Sequence, residues 1–314
     1  MQFEPKAPQG VVYITSMSRP DAALALAMLY GFQGKRESRM GSVCVNGSGL
    51  GAAIFCDIVY HFYTVGPARN ANDVLPTGLA ADGPMPADPP MVKAALAAAY
   101  PRGIKRVSDT SLAESVIRNG VIFNAEGVMI LSAPATYLAK SFDIQGTKEI
   151  YKERVKMLVV VDSGATQYVN QDVKAMRRVL AEFPAPIVFC GKDVGDALPY
   201  PAASIAKDFL WAEGHHPIFD AYTAYQPVPY DAPSYDMAGA LYAVHPEGGL
   251  FSLSEPGSLV VDDGGKFRFT AGGGGKVRSL MVDAARKNKI IETYIEIASA
   301  KPVPPPVRRP KPAV

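Results

Sequence analysis

The sequence predicts an α/β fold: an open, mostly parallel sheet with helices on both faces, and a small antiparallel segment near the C-terminus. Three observations carry this. Short, near-continuously apolar runs recur at VVYIT (11–15), MGSVCV (40–45), VMILS (128–132), MLVVVD (157–162) and PIVFCG (186–191), and strands covered on both faces read this way. Helix-period segments separate them at 20–31, 49–63, 91–100, 111–119, 134–142, 170–183 and 202–213, the alternation of a parallel sheet. After a further helix near 234–245, LFSLS, SLVVDD and KFRFT follow with turn residues between them, the pattern of short antiparallel strands.

Taken in order, the first strand ends at Ile14 and Thr15, and an alanine- and leucine-rich helix begins at about Pro20. The turn between them holds Ser16, Ser18, Arg19 and Asp21. Turns of this kind lie at the carboxyl edge of an open sheet, where α/β proteins bind ligands. Residues 64–90 are rich in Pro, Gly, Asn and Asp without a period, which predicts a long loop. A last helical segment, about 282–299, precedes KPVPPPVRRPKPAV, whose composition suits an extended tail. The expected organisation is a single domain over 1–300 and a proline-rich tail over 301–314.

Composition narrows the function classes. The chain has 314 residues, 48% hydrophobic and 20% charged, the balance of a globular protein with a substantial core. A net charge of +2 from 32 basic and 30 acidic residues, with no basic stripe interleaved with aromatics, gives no case for nucleic acid. No apolar run reaches the length of a membrane span, so no membrane partner is expected. The first ten residues lack the apolar core of a secretory signal. The compartment stays open between cytoplasmic and exported with a leader not present here. Cys44, Cys56 and Cys190 are widely spaced in apolar surroundings and read as buried free thiols.

Some conspicuous stretches carry no chemistry. AGGGGKV (271–277) has Val277 where a phosphate loop needs Ser or Thr, and its flanks read as strands. His215 and His216 in GHHP read as a helix end, and as neighbours on a helix they would point about 100° apart. His61 and His245 lie in helix-like runs and read as packed or surface residues.

Four strand ends or helix starts collect polar residues: the opening turn with Asp21, VNGSG with Asn46, SAPATYLAKS with Thr136, and APSYDMAGALYAVHPEGGLF with Asp236. Parallel strands bring such positions to one rim. Each alone has a structural explanation, as a helix N-terminal acid or a turn residue. In order and spacing across roughly residues 10–251 they resemble the inosine-uridine preferring nucleoside hydrolases. That family has an opening D-x-D-x-G-x-D-D-A turn, a strand ending in Asn, a G-P-L-T-N helix start and a late H-D-P-x-A helix start. DVKAMRRVLAEFPAPIVFCGKDV (172–194) is similar to the family's D-P-E-A-A helix and following strand.

The resemblance implies a nucleoside hydrolase-like, Rossmann-like fold and hydrolysis of the N-glycosidic bond of a ribonucleoside or related N-glycoside. It implies calcium held by aspartates and a threonine carbonyl, here Asp21, Asp236 and Thr136, gripping the ribose diol. Asp21, Asp236 and Tyr235 then stand in catalytic positions, and Asn46, Ser16 and Asp162 in substrate-binding ones. The departures are specific. Aligning Pro20-Asp21-Ala22 with D-D-A puts Ile14, Ser16 and Pro20 where the family has aspartates. Ser16 replaces the general base, and Tyr235 replaces the histidine before the late aspartate. Asp162 either adds a carboxylate to the rim or caps its turn. The expectation is therefore a reduced calcium site, weakened or absent, on an N-glycosyl hydrolase. The competing expectation is a non-catalytic nucleoside- or sugar-binding protein of the same fold. Expected partners are a nucleoside or sugar-like small molecule and further copies of the chain, as a homo-oligomer.

Overall fold

The computed structural model describes residues 9–64, 75–80, 85–122, 126–164, 169–212 and 215–303. β1 (Gln9–Thr15) leads into α1 (Pro20–Gly34), β2 (Ser38–Val45) and α2 (Leu50–Thr64). β3 (Thr77–Leu79), α3 (Pro90–Ala97), β4 (Ser111–Leu112) and α4 (Ala113–Ile122) follow. Next come β5 (Gly127–Ser132), α5 (Thr136–Ser141), α6 (Thr147–Arg154) and β6 (Val155–Val161). The chain continues through α7 (Val173–Glu182), β7 (Ile187–Cys190), α8 (Lys192–Asp196), α9 (Ala202–Asp208), α10 (Pro217–Tyr225) and α11 (Tyr235–Val244). It ends in β8 (Ser252–Leu253), β9 (Gly257–Val261), β10 (Phe267–Ala271), β11 (Val277–Met281) and α12 (Lys287–Ala298).

The strands form one sheet in the order β10-β9-β11-β7-β6-β5-β1-β2-β3-β4, with β8 paired to β11. From β4 across to β7 and β11 the pairing is parallel, and β8, β9 and β10 supply the antiparallel segment. The order runs outward from β1 in both directions, through β2 on one side and β5 on the other. A sheet of this topology has its crevice at the carboxyl ends of the strands where the order reverses. Here those are the ends of β1 and β5, at Thr15 and Ser132.

Alternation along β1 builds both faces. Val11 and Tyr13 enter the layer of α1, α2, α10, α11 and α12, while Val12 and Ile14 enter the layer of α4, α5, α6 and α7. α1 is apolar on every side and buried from Pro20 to Phe32, as befits a helix enclosed by others. α11 is buried along its whole length. The two touch each other, and α11 also packs on β5 and β6. α7 differs in having one apolar stripe and an Asp172 cap that accepts from the Ala175 N–H at 2.9 Å, so it covers the opposite face as a surface helix.

The three cysteines are buried free thiols, as the sequence predicts. Two expectations change. The predicted loop at 64–90 contains β3, paired in parallel with β2 and β4; its residues 65–74 and 81–84 lie outside the described residues, as does the tail at 304–314. His216 opens α10 rather than ending a helix: it is the N-cap, its ring accepts from the Ile218 N–H, and Pro217 takes the first helical position, where its missing N–H costs nothing.

One close approach positions the rim. Gly195 of α8 lies against the start of α11, where an added Cβ would stand 2.8 Å from both the backbone N and Cα of Tyr235. Backbone atoms cannot rotate aside. Gly195→Ala is therefore expected to cost about 1–3 kcal/mol, read as a lower midpoint in urea unfolding. An unchanged midpoint would show that α8 slides freely past α11.

Candidate functional site

The turn between β1 and α1 is set by its own residues. Ser16 N–H donates to Ser132 O of β5 at 3.3 Å, keeping the exit of β1 beside its neighbour. Met17 then adopts a left-handed φ of 47° and donates its N–H to Thr15 Oγ1 at 2.9 Å. A non-glycine residue there costs about 1–2 kcal/mol, and the enclosed Met17 side chain holds it in place. Arg19 is extended, with φ −133° and ψ 154°, the conformation a following proline enforces. Pro20 then starts α1 at its first position.

Arg19 crosses the mouth of the crevice. Its Nε donates to Asp21 Oδ1 at 3.0 Å, its Nη2 to Asp236 Oδ1 at 2.8 Å, and its Nη1 to Ser163 Oγ at 2.9 Å. The guanidinium lies 5.4 Å from the centre of the Tyr235 ring, within cation–π reach. Asp21 and Asp236 are 2% and 0% exposed. They sit in the first turns of α1 and α11, so both helix N-termini face the pair, with the polarity that favours carboxylates. Asp21 Oδ2 also accepts the Asp236 backbone N–H at 3.0 Å, and so caps a helix 215 residues away in sequence. Tyr13 Oη donates to Asp236 Oδ2, and Ser132 Oγ donates to Asp236 Oδ1 at 2.7 Å.

In this setting the pKa values of both Asp236 and Arg19 are raised. Burial, then the charge of Asp21, raises the Asp236 carboxyl to about 6 against the opposing pull of Arg19, Tyr13 and Ser132. Burial pulls the Arg19 guanidinium down, but Asp21 and Asp236 more than offset this and leave it above its ordinary value. Arg19 therefore carries a permanent charge.

The other expected residues reach the same edge with different partners. Ser16 Oγ pairs with Ser18 Oγ at 2.8 Å, and the Ser16 carbonyl accepts from Ser48 Oγ. Asn46 Nδ2 donates to Pro134 O at 2.8 Å, tying the end of β2 to the turn after β5. Thr136 opens α5, and among the described residues no hydrogen bond joins it to Asp21 or Asp236. Asp162 accepts the Gly164 N–H at 2.7 Å, closing its turn, and lines a cavity of about 20 Å³ with Arg19, Ser132 and Ser163. That is room for a water. Tyr235 donates to Asp196 Oδ1 at 2.7 Å, and burial followed by Asp196 raises its pKa, which makes it a poor acid. Tyr13, Ser132 and Ser163 join the cluster without a signal in the sequence, and Arg19 joins it from the opening turn, where the sequence places it without a role. For Arg19 the available signal was its place before Pro20 in the opening turn.

The donor set does not fit calcium. Calcium takes six to eight oxygens, whereas all four carboxylate oxygens of Asp21 and Asp236 already accept hydrogen bonds, three of them from or beside the guanidinium. An ion on those oxygens would lie against a fixed positive charge. Among the described residues no group of three or more His, Cys, Asp or Glu side chains is placed to hold a metal ion.

No family model matches the chain, and no curated protein matches it in sequence. Solved structures do. An inosine-uridine preferring nucleoside hydrolase from Bacillus anthracis superposes at a TM-score of 0.66 and 12% identity, over 93% of this chain and 99% of that one. A purine-preferring ribonucleoside hydrolase from Gardnerella vaginalis gives 0.67 and 14%, over 93% and 99%. The type III effector protein XopQ, in complex with adenosine diphosphate ribose, gives 0.64 and 13%, over 94% and 95%. The fold of this chain is that of the nucleoside hydrolases. It is shared by proteins of different base preference and by effectors, so it singles out no inosine-uridine subtype.

Asp236 gives this site a pH signature. Its folded pKa, about 6, lies above the unfolded value of ~3.9. Between those values the folded protein keeps a proton that the unfolded chain has released, so stability falls as pH rises through the window. The drop is on the order of 1–3 kcal/mol. Unfolding midpoints of the parent are expected to fall from pH 4 to pH 6 relative to Asp236→Asn, whose side chain does not titrate. Parallel profiles would mean that Asp236 is ionised throughout.

Proposed function

We propose that the protein is a nucleoside hydrolase-like protein that binds a nucleoside or other ribose-bearing ligand at the carboxyl rim and does not hydrolyse it at an enzymatic rate. The observation that carries this reading is the bridge from Arg19 to Asp21 and Asp236. It engages the two carboxylates that would otherwise face a substrate. Ser16, at the position of the general base, offers only a hydroxyl paired with Ser18, and loss of a general base typically costs about 10² to 10⁴ in rate. The half-exposed Ser18, Arg19, Asp162 and Ser163 line the edge where a sugar hydroxyl would approach. A ribose-bearing ligand is favoured because one neighbour of the same fold was solved with adenosine diphosphate ribose.

The N-glycosyl hydrolase reading has one specific observation in its favour. Asp236 is held near pH 6, within the range of a working general acid, and Asp21 and Tyr235 stand beside it as the other catalytic candidates. Calorimetry with ribose, inosine, uridine and adenosine diphosphate ribose, alongside a base-release assay, separates the two readings. Saturable heat is expected with at least one ribose-bearing ligand, weakened at least tenfold by Asp162→Ala, with base release no faster than in Asp236→Asn. Faster release would make the protein an enzyme. No heat with any of the ligands would remove the binding reading.

A further inference from the structure

We infer that Arg19 is the resident cation of the rim: its guanidinium occupies the place between Asp21 and Asp236 that a divalent ion would need, so that the site is complete without metal, and removing that side chain creates a calcium site. Two buried carboxylates that share a neighbourhood require a counter-charge, because desolvated like charges repel. Arg19 supplies it with geometry that a flexible surface pair lacks. Its side chain is 16% exposed, and it reaches Asp21 through Nε, Asp236 through Nη2 and Ser163 through Nη1.

Its position is fixed from several directions. Pro20 holds the Arg19 backbone extended, the left-handed Met17 turns the chain toward the rim, and the Tyr235 ring faces the guanidinium at 5.4 Å. Asp21 is in turn fixed by capping α11, and Asp236 by Tyr13 and Ser132. A planar guanidinium is suited to bridging carboxylates in this way, since its forked donors match their oxygens and its charge does not titrate away. Without Arg19, the same oxygens would form an anionic pocket at two converging helix N-termini, open to a hard cation. Arg19 holds this place whether or not a nucleoside binds or is hydrolysed.

The test is thermal unfolding and calorimetric titration with CaCl₂, with MgCl₂ as control and ionic strength held constant. It uses the parent protein, Arg19→Ala, Arg19→Gln as a milder variant should the alanine protein not fold, and Arg19→Ala combined with Asp236→Asn. The parent is expected to show neither saturable heat nor a calcium-dependent shift in Tm. Either arginine variant should melt lower than the parent without calcium and recover at least half of the loss in millimolar CaCl₂. Its calcium affinity should exceed the parent's by at least tenfold, a gain abolished by Asp236→Asn. A calcium-dependent rise in the parent's Tm would overturn the inference. So would Arg19 variants that unfold at a lower temperature without responding to calcium, or that keep the parent's Tm.

Discussion

The bridge that Arg19 makes between Asp21 and Asp236 is the joint on which this molecule turns. α1 and α11 are both enclosed along nearly their whole lengths, and enclosed helices still have to satisfy the N–H groups of their first turns. At α11 one of those groups is met by the Asp21 carboxylate. That carboxylate is tolerable in the interior only because a guanidinium neutralises it. Charge balance, helix capping and the angle between two central helices are thus a single problem with a single solution. The sheet topology makes it possible, since the reversal of strand order at β1 leaves the crevice at that point.

The same joint shapes what the rim offers a ligand. Charged groups are present, but much of their hydrogen-bonding capacity is spent internally, and the available cavity beside Arg19 has a volume of about 20 Å³. The turn also stores a left-handed methionine, the kind of local strain that persists where the surroundings over-determine it. A surface of this kind presents donors held in fixed directions rather than a concentrated field.

The strands of the sheet centre were legible because burial on both faces forces unbroken apolar runs, as in VVYIT and MLVVVD. β3 and β4 were not, because three- and two-residue strands carry no period; β3 lies among turn-forming residues, and β4 falls at the start of the segment read as helix at 111–119. GHHP misled for a definable reason: a proline stops a helix that precedes it but starts one that follows, and His216 with Pro217 does the latter. At the site, Asp21, Asn46 and Asp236 were readable from their positions at strand ends and helix starts. Arg19 was visible in the turn, but a contact spanning 217 residues leaves no local trace. Tyr13 and Ser132 were hidden inside apolar strands, where only the register decides which side chain reaches the carboxylates.

The separation between the two capped helices also bears on biosynthesis. α1 emerges from the ribosome early, apolar on every side, while the helix that shields it and receives its carboxylate lies 215 residues later. At about 5–20 residues per second that interval is roughly 10–40 s. During it α1 can pack on early neighbours such as β2 and α2, but the face that meets α11 is uncovered and Arg19 lacks its Asp236 partner. Until α11 arrives, the face of α1 that it covers is transient apolar surface, the kind that chaperones holding nascent polypeptides engage.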